Sequence, residues 1–192
     1  MINLPGYLQR NGYKVPQDVK TGPFADAWGG RHTWALYEDE PERGKVFNSS
    51  GQICKVCHIP HNGPGATEAP LFNHTVTGST FTPYSSGTLN ATIGQPTGAS
   101  KLCLSCHDGT VALGMVRSRN EPIQFTGPLS PQKKLGVDLS DDHPVSFTFD
   151  SSLAFLNPRL KNPSSLTGRV HLDPAGQLQC TSCHDPHDDQ YG

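Results

Sequence analysis

Few stretches of this chain keep a regular hydrophobic period. Val145, Phe147 and Phe149 alternate with Ser146 and Thr148, a period of two that predicts a strand over 145–149. The best helical pattern runs LCLSCHDGTVALG over 102–114, with Ser100 placed as its N-cap. A shorter helix is expected over CKVCH at 54–58, stopped by Pro60. Between these, 77–99 is rich in Ser, Thr, Gly and Pro and reads as an irregular surface loop. Residues 117–142 form a polar connector holding Pro122, Pro128 and Pro131. A last Pro-rich turn region leads into LQCTSCHDPH at 178–187, and turns with extended backbone are expected over 1–50, around WGGRHTW at 28–34. The expected class is therefore mostly irregular coil, with a few short α-helices and minimal β.

One short pattern recurs across this irregular background: CKVCH at 54–58, CLSCH at 103–107 and CTSCH at 180–184. Two thiols three residues apart can each bond to a vinyl group of the same haem, and the histidine that follows is then held beneath the iron as an axial ligand. The three matches use all six cysteines, Cys54, Cys57, Cys103, Cys106, Cys180 and Cys183. A zinc ribbon has no use for a histidine after every pair. A thioredoxin-like pair would occur once, beside a βαβ pattern that is not seen here. Disulfides within C-x-x-C are strained and would not repeat with a trailing histidine. The expected cofactors are three covalently bound haem c groups, with His58, His107 and His184 as proximal ligands.

Composition fits that expectation. Hydrophobic residues make up 34 % of the chain, against roughly 45–50 % in ordinary domains, while Gly and Pro number 20 and 17. Such a chain cannot offset its ordering entropy from its own side chains, whereas large flat apolar cofactors give it something to wrap. The haem-free chain is accordingly expected to be largely unfolded. The formal charge of −2 disfavours nucleic-acid binding, and no run of 18 apolar residues suggests a membrane span. The first residues, MINLPGYLQRNGYKVPQ, lack the apolar core and small-residue cleavage site of a signal peptide. Chains with this motif generally take up haem after export, so the numbering reads as that of a mature or trimmed form.

The motif fills one axial position of each iron, and six histidines lie outside it: His32, His61, His74, His143, His171 and His187. Met1 and Met115 are the only thioethers, so bis-histidine ligation is expected throughout; it favours lower potentials than Met/His and leaves no open position for a substrate. His61 and His187 each follow a proximal histidine by three residues, on the same side of that haem, so as ligands they would have to serve a different haem. His74 and His143 sit in connectors and reach more freely. His32 lies in the 1–50 arm and could be presented to an iron. His171 is expected to be solvated or to contact a propionate.

CHIPHNG, APLFNHTV, GASKLCLSCHDGTVALG, DLSDDHPVSFTF and LQCTSCHDPH together resemble the doubled C-x-x-C-H multihaem c-type cytochromes of anaerobic, metal-respiring microbes, several of which polymerise into extracellular cytochrome filaments, or nanowires. The resemblance covers 51–192, read as a three-haem cytochrome domain wrapped around a stack of haems. Residues 1–50 are read as an arm that docks on a neighbouring subunit. It implies bis-histidine haems in a continuous stack, a histidine donated across a subunit boundary (here His32), and a homo-oligomeric filament. It also implies an exported location, extracellular or at the cell surface, with the periplasm as the alternative. The implied role is electron transfer to partner cytochromes or an extracellular acceptor, without enzymatic chemistry. The alternatives are a soluble periplasmic shuttle or a reductase with one open haem.

Overall fold

The computed structural model describes residues 56–59, 71–123, 129, 131–168 and 170–186. Most of these are coil and turn. The regular elements are α1 (Gly98–His107), the two-residue strands β1 (Phe147–Thr148) and β2 (Gln177–Leu178), and α2 (Ser151–Leu156) between the strands. Short 3-10 turns occupy Pro131–Lys133, Pro163–Ser165 and Cys180–Ser182. The expected class, irregular with few helices and little sheet, therefore holds for the described residues. They divide into two compact units.

The first unit comprises the described residues up to 75, those within 111–133, and 185–186. Its centre is the extended segment 72–75, bridged on one side by the first motif and on the other by 115–117. His58 faces Phe72 across an antiparallel bridge, with the Ile59 amide donating to the Leu71 carbonyl at 2.9 Å and Asn73 to Cys57 at 2.8 Å. His74 faces Val116 in the same way, and the flanking bonds are Thr75 to Met115 at 2.8 Å and Arg117 to Asn73 at 2.7 Å. Val56, Val116 and Ile123 make a small core, with Cys57 packed against it. Asn73 is wholly buried and satisfies both ends of its amide on Ser118.

The second unit comprises 76–110 and 134–184. β1 and β2 pair antiparallel, Phe147 opposite Leu178 and Thr148 opposite Gln177. One cluster joins Phe81, Leu104 and Leu139; another joins Phe147, Phe149 and Leu153, bordered by Ala91, Ile93, Leu166, Leu172 and Leu178. α1 packs on the 3-10 turn of Cys180–Ser182. The second and third motifs thus share a unit.

Three local expectations need correction. α1 starts earlier than its pattern suggests, at Gly98 after Thr97, and Ser100 lies inside the helix rather than at its N-cap. The helix ends at His107 instead of running to 114, because Gly109 adopts φ +70 and its amide turns back to the Cys106 carbonyl. The strand over 145–149 shortens to two residues because Ser146 sits at φ 57 and is itself buried, which breaks the alternation. α2 was not legible as a periodic pattern. Its Asp150 N-cap accepts from the Leu153 amide at 2.8 Å, and that cap is what organises six residues. The helix expected over 54–58 falls partly outside the described residues; Val56 is in a 3-10 conformation and His58 is already in the bridge.

Candidate functional site

At the first motif, Cys57 is half-buried and His58 buried. Phe72 and His74 are two residues apart on one extended segment and so share a face, the one on which His58 meets Phe72. The Phe72 and His74 rings meet edge to face with centroids 6.5 Å apart. His74 is only 1 % exposed; its Nδ1 lies 2.8 Å from the Thr75 carbonyl and its Nε2 lies 3.2 Å from that of Ala112. A neutral imidazole carries a single N–H, so only one of these contacts is a hydrogen bond at a time. With the proton on Nδ1, a lone pair on Nε2 faces a carbonyl oxygen. To ligate a metal, His74 would release Ala112 and keep Thr75 as its orienting partner.

At the second motif, Cys103, Cys106 and His107 occupy the last turns of α1, all half-buried. Cys103 and Cys106 are i, i+3 neighbours on one helix face, with His107 one turn beyond Cys103. The His107 carbonyl accepts from the Leu135 amide at 2.8 Å, which pins the following segment beneath the motif. Beside it, the buried Asp108 accepts from the Thr77 hydroxyl at 2.6 Å and the Thr110 amide at 2.7 Å.

At the third motif, Cys180–Ser182 form a 3-10 turn, and the His184 amide donates to the Cys180 carbonyl at 2.9 Å. Cys183 and His184 are exposed, as is His143. The His143 and His184 rings lie nearly parallel, 18° apart, with centroids separated by 6.4 Å. His143 Nδ1 lies 3.4 Å from the Pro144 carbonyl, the partner that would leave Nε2 for a metal.

The second and third motifs also meet through sulfur. The Cys180 thiol hydrogen-bonds with Cys103, and this, with Ser100 and the nearby His143, holds it down at about 6 against the opposing effect of burial. The Cys180 amide donates to the Ser100 hydroxyl at 3.0 Å. Sequence reasoning missed this junction: Ser100 is read there as a cap, and the Gln179 that precedes the motif carries no signal of its own.

Of the other expected site residues, Cys54, His32, His61 and His187 lie outside the described residues, and His171 is exposed. Among the described residues, no three His, Cys, Asp or Glu side chains converge as a metal-holding group. An iron in a porphyrin takes four nitrogens from the macrocycle and needs only two from the protein. No helix among the described residues is long and apolar enough to cross a membrane. No protein-family model matches the chain, and no curated protein gives a match.

Proposed function

We propose that this chain is an exported electron carrier with three covalently attached haem c groups, held by Cys54 and Cys57, Cys103 and Cys106, and Cys180 and Cys183. His58, His107 and His184 are the proximal ligands. The three C-x-x-C-H motifs, which take up all six cysteines, are the observation that carries the reading; His143, whose ring stacks on that of His184 with centroids 6.4 Å apart, is the distal candidate at the third motif. His74, buried on the face His58 shares with Phe72, is the distal candidate of the first unit. Haem supplies one-electron chemistry when bound; the polypeptide sets its ligation, spacing and exposure. Two imidazoles per iron leave no site for a substrate, which supports conduction over catalysis. The resemblance to filament-forming multihaem cytochromes supports a homo-oligomeric, extracellular assembly, with the 1–50 arm and its His32 as the link between subunits.

The test is the mass and spectrum of the mature protein. Three haems per chain and low-spin absorption throughout are expected. A mass equal to that of the bare polypeptide removes the proposal. Electron microscopy decides assembly separately: filaments support it, and discrete monomers restrict the proposal to a soluble carrier.

A further inference from the structure

Gln179 stands immediately before the third motif and is 1 % exposed. Its Oε1 accepts from the Ser100 hydroxyl at 2.6 Å, the Ser100 amide at 3.2 Å and the Ser146 hydroxyl at 3.0 Å. Its Nε2 donates to Asp173 Oδ2 at 2.9 Å and to Gln177 Oε1 at 3.2 Å. Its backbone amide donates to the Ser182 hydroxyl inside the motif at 3.0 Å. One buried amide therefore joins three segments. Ser100 is one helical turn before Cys103 on α1, Cys180 is the next residue of its own chain, and Ser146 ends the short loop that begins at His143.

The two ends of this amide are not interchangeable. A flipped side chain would set its NH2 against the Ser100 N–H and its oxygen against the Asp173 carboxylate, so the surroundings fix one orientation. Buried and fully partnered polar groups of this kind specify one arrangement among several that apolar contacts alone would tolerate. The apolar clusters of this unit lie elsewhere, around Leu104 and Phe147, and neither includes Cys180 or Gln179. The register of α1 against the third motif thus depends on this polar junction.

We propose that Gln179 is a positioning residue that sets the spacing between the second and third haem-attachment motifs and the placement of the His143 loop beside them. The inference rests on the reading of 103–107 and 180–184 as haem sites. It adds that the coupling between those two sites is fixed by a side chain that touches no cofactor-bonding atom. α1 packs directly on the 3-10 turn of the third motif, so small changes at the junction should be felt at both sites.

The test uses the full haem-loaded chain and the circular dichroism couplet that neighbouring haems produce in the Soret region, which reports their distance and mutual angle. Q179A is expected to keep three haems by mass while its couplet falls by about twofold or more, as loss of a supporting shell loosens a site by around 1 Å. Q179E and D173N are each expected to weaken the couplet as well. The combination Q179E/D173N exchanges the donor and acceptor between the two side chains, and it should restore the wild-type couplet. A couplet unchanged in Q179A with three haems present, or an exchange variant with three haems that fails to restore it, overturns the proposal. If Q179A does not mature, the exchange series alone decides on the same criterion. Wild-type protein of bare mass would instead remove the haem reading, and this inference with it.

Discussion

His143 and His184 show what a residue pair contributes without any regular element to hold it. Both are exposed, and each lies in backbone fixed only by turns and capping bonds. On the proposed function, H143A is expected to leave the haem count at three while one haem becomes high-spin, visible in electron paramagnetic resonance. The adjacent Asp142 gives a pH-dependent prediction. Burial, and the Asp141 charge beside it, push its carboxyl above the ordinary aspartate range, and His143 only partly opposes this. A raised value means that the folded state favours the protonated form, so the contribution to stability is complete below the ordinary range and is lost as pH rises through the raised value. D142N should therefore melt at a higher temperature than wild type at pH 7, and the difference should vanish at pH 3. An unchanged difference across that range would show that the carboxyl is not the source. At this scale the candidate site was legible as a pattern, because C-x-x-C-H and the spare histidines are local signals. It did not show Gln179 or Ser100 as a junction, because a buried polar contact between residues 79 positions apart leaves no periodic or spacing signature.

Elements in this chain are short because their caps and turns, not their hydrophobic faces, define them. α1 stops where Gly109 enters the left-handed region, five residues before its apolar pattern ends, and α2 begins where Asp150 accepts from the Leu153 amide. The Asp-Gly pair at 108–109 is a stop signal that a reading by hydrophobic period passes over. Asp150→Ala should cost about 1 kcal/mol through the lost cap, measured by denaturant unfolding of the mature protein. Gly114 is constrained differently: a Cβ there would fall on the carbonyl oxygen of Ile123, whose amide donates to the Gly114 carbonyl at 2.9 Å. The obstacle is backbone and cannot swing aside. G114A should cost about 1–3 kcal/mol by forcing 112–116 away from Ile123. Hydrogen exchange should locate the loss in the first unit, with the amides of Thr75 and Arg117 losing protection while those of β1 and β2 keep theirs.

For the molecule as a whole, the distribution of buried apolar side chains matters more than their number. The described cores are three separate triplets, Val56 with Val116 and Ile123, Phe81 with Leu104 and Leu139, and Phe147 with Phe149 and Leu153. On the proposed function, the haems supply the apolar surface that clusters this small do not. The haem-free chain should then lose the fold, not merely the colour. Its far-UV circular dichroism should be that of coil, its thermal scan should show no cooperative step, and all six thiols should alkylate together. Cys180 is the discriminating probe, because its depressed value of about 6 needs the Cys103 contact of the folded unit. In an unfolded haem-free chain its alkylation should follow the ordinary thiol range near pH 8.5, indistinguishable from the other five. Selective alkylation of Cys180 near pH 6 would mean that the second unit keeps its fold without haem, and that the polar junction at Gln179 and the two triplets of that unit suffice to hold α1 on the third motif.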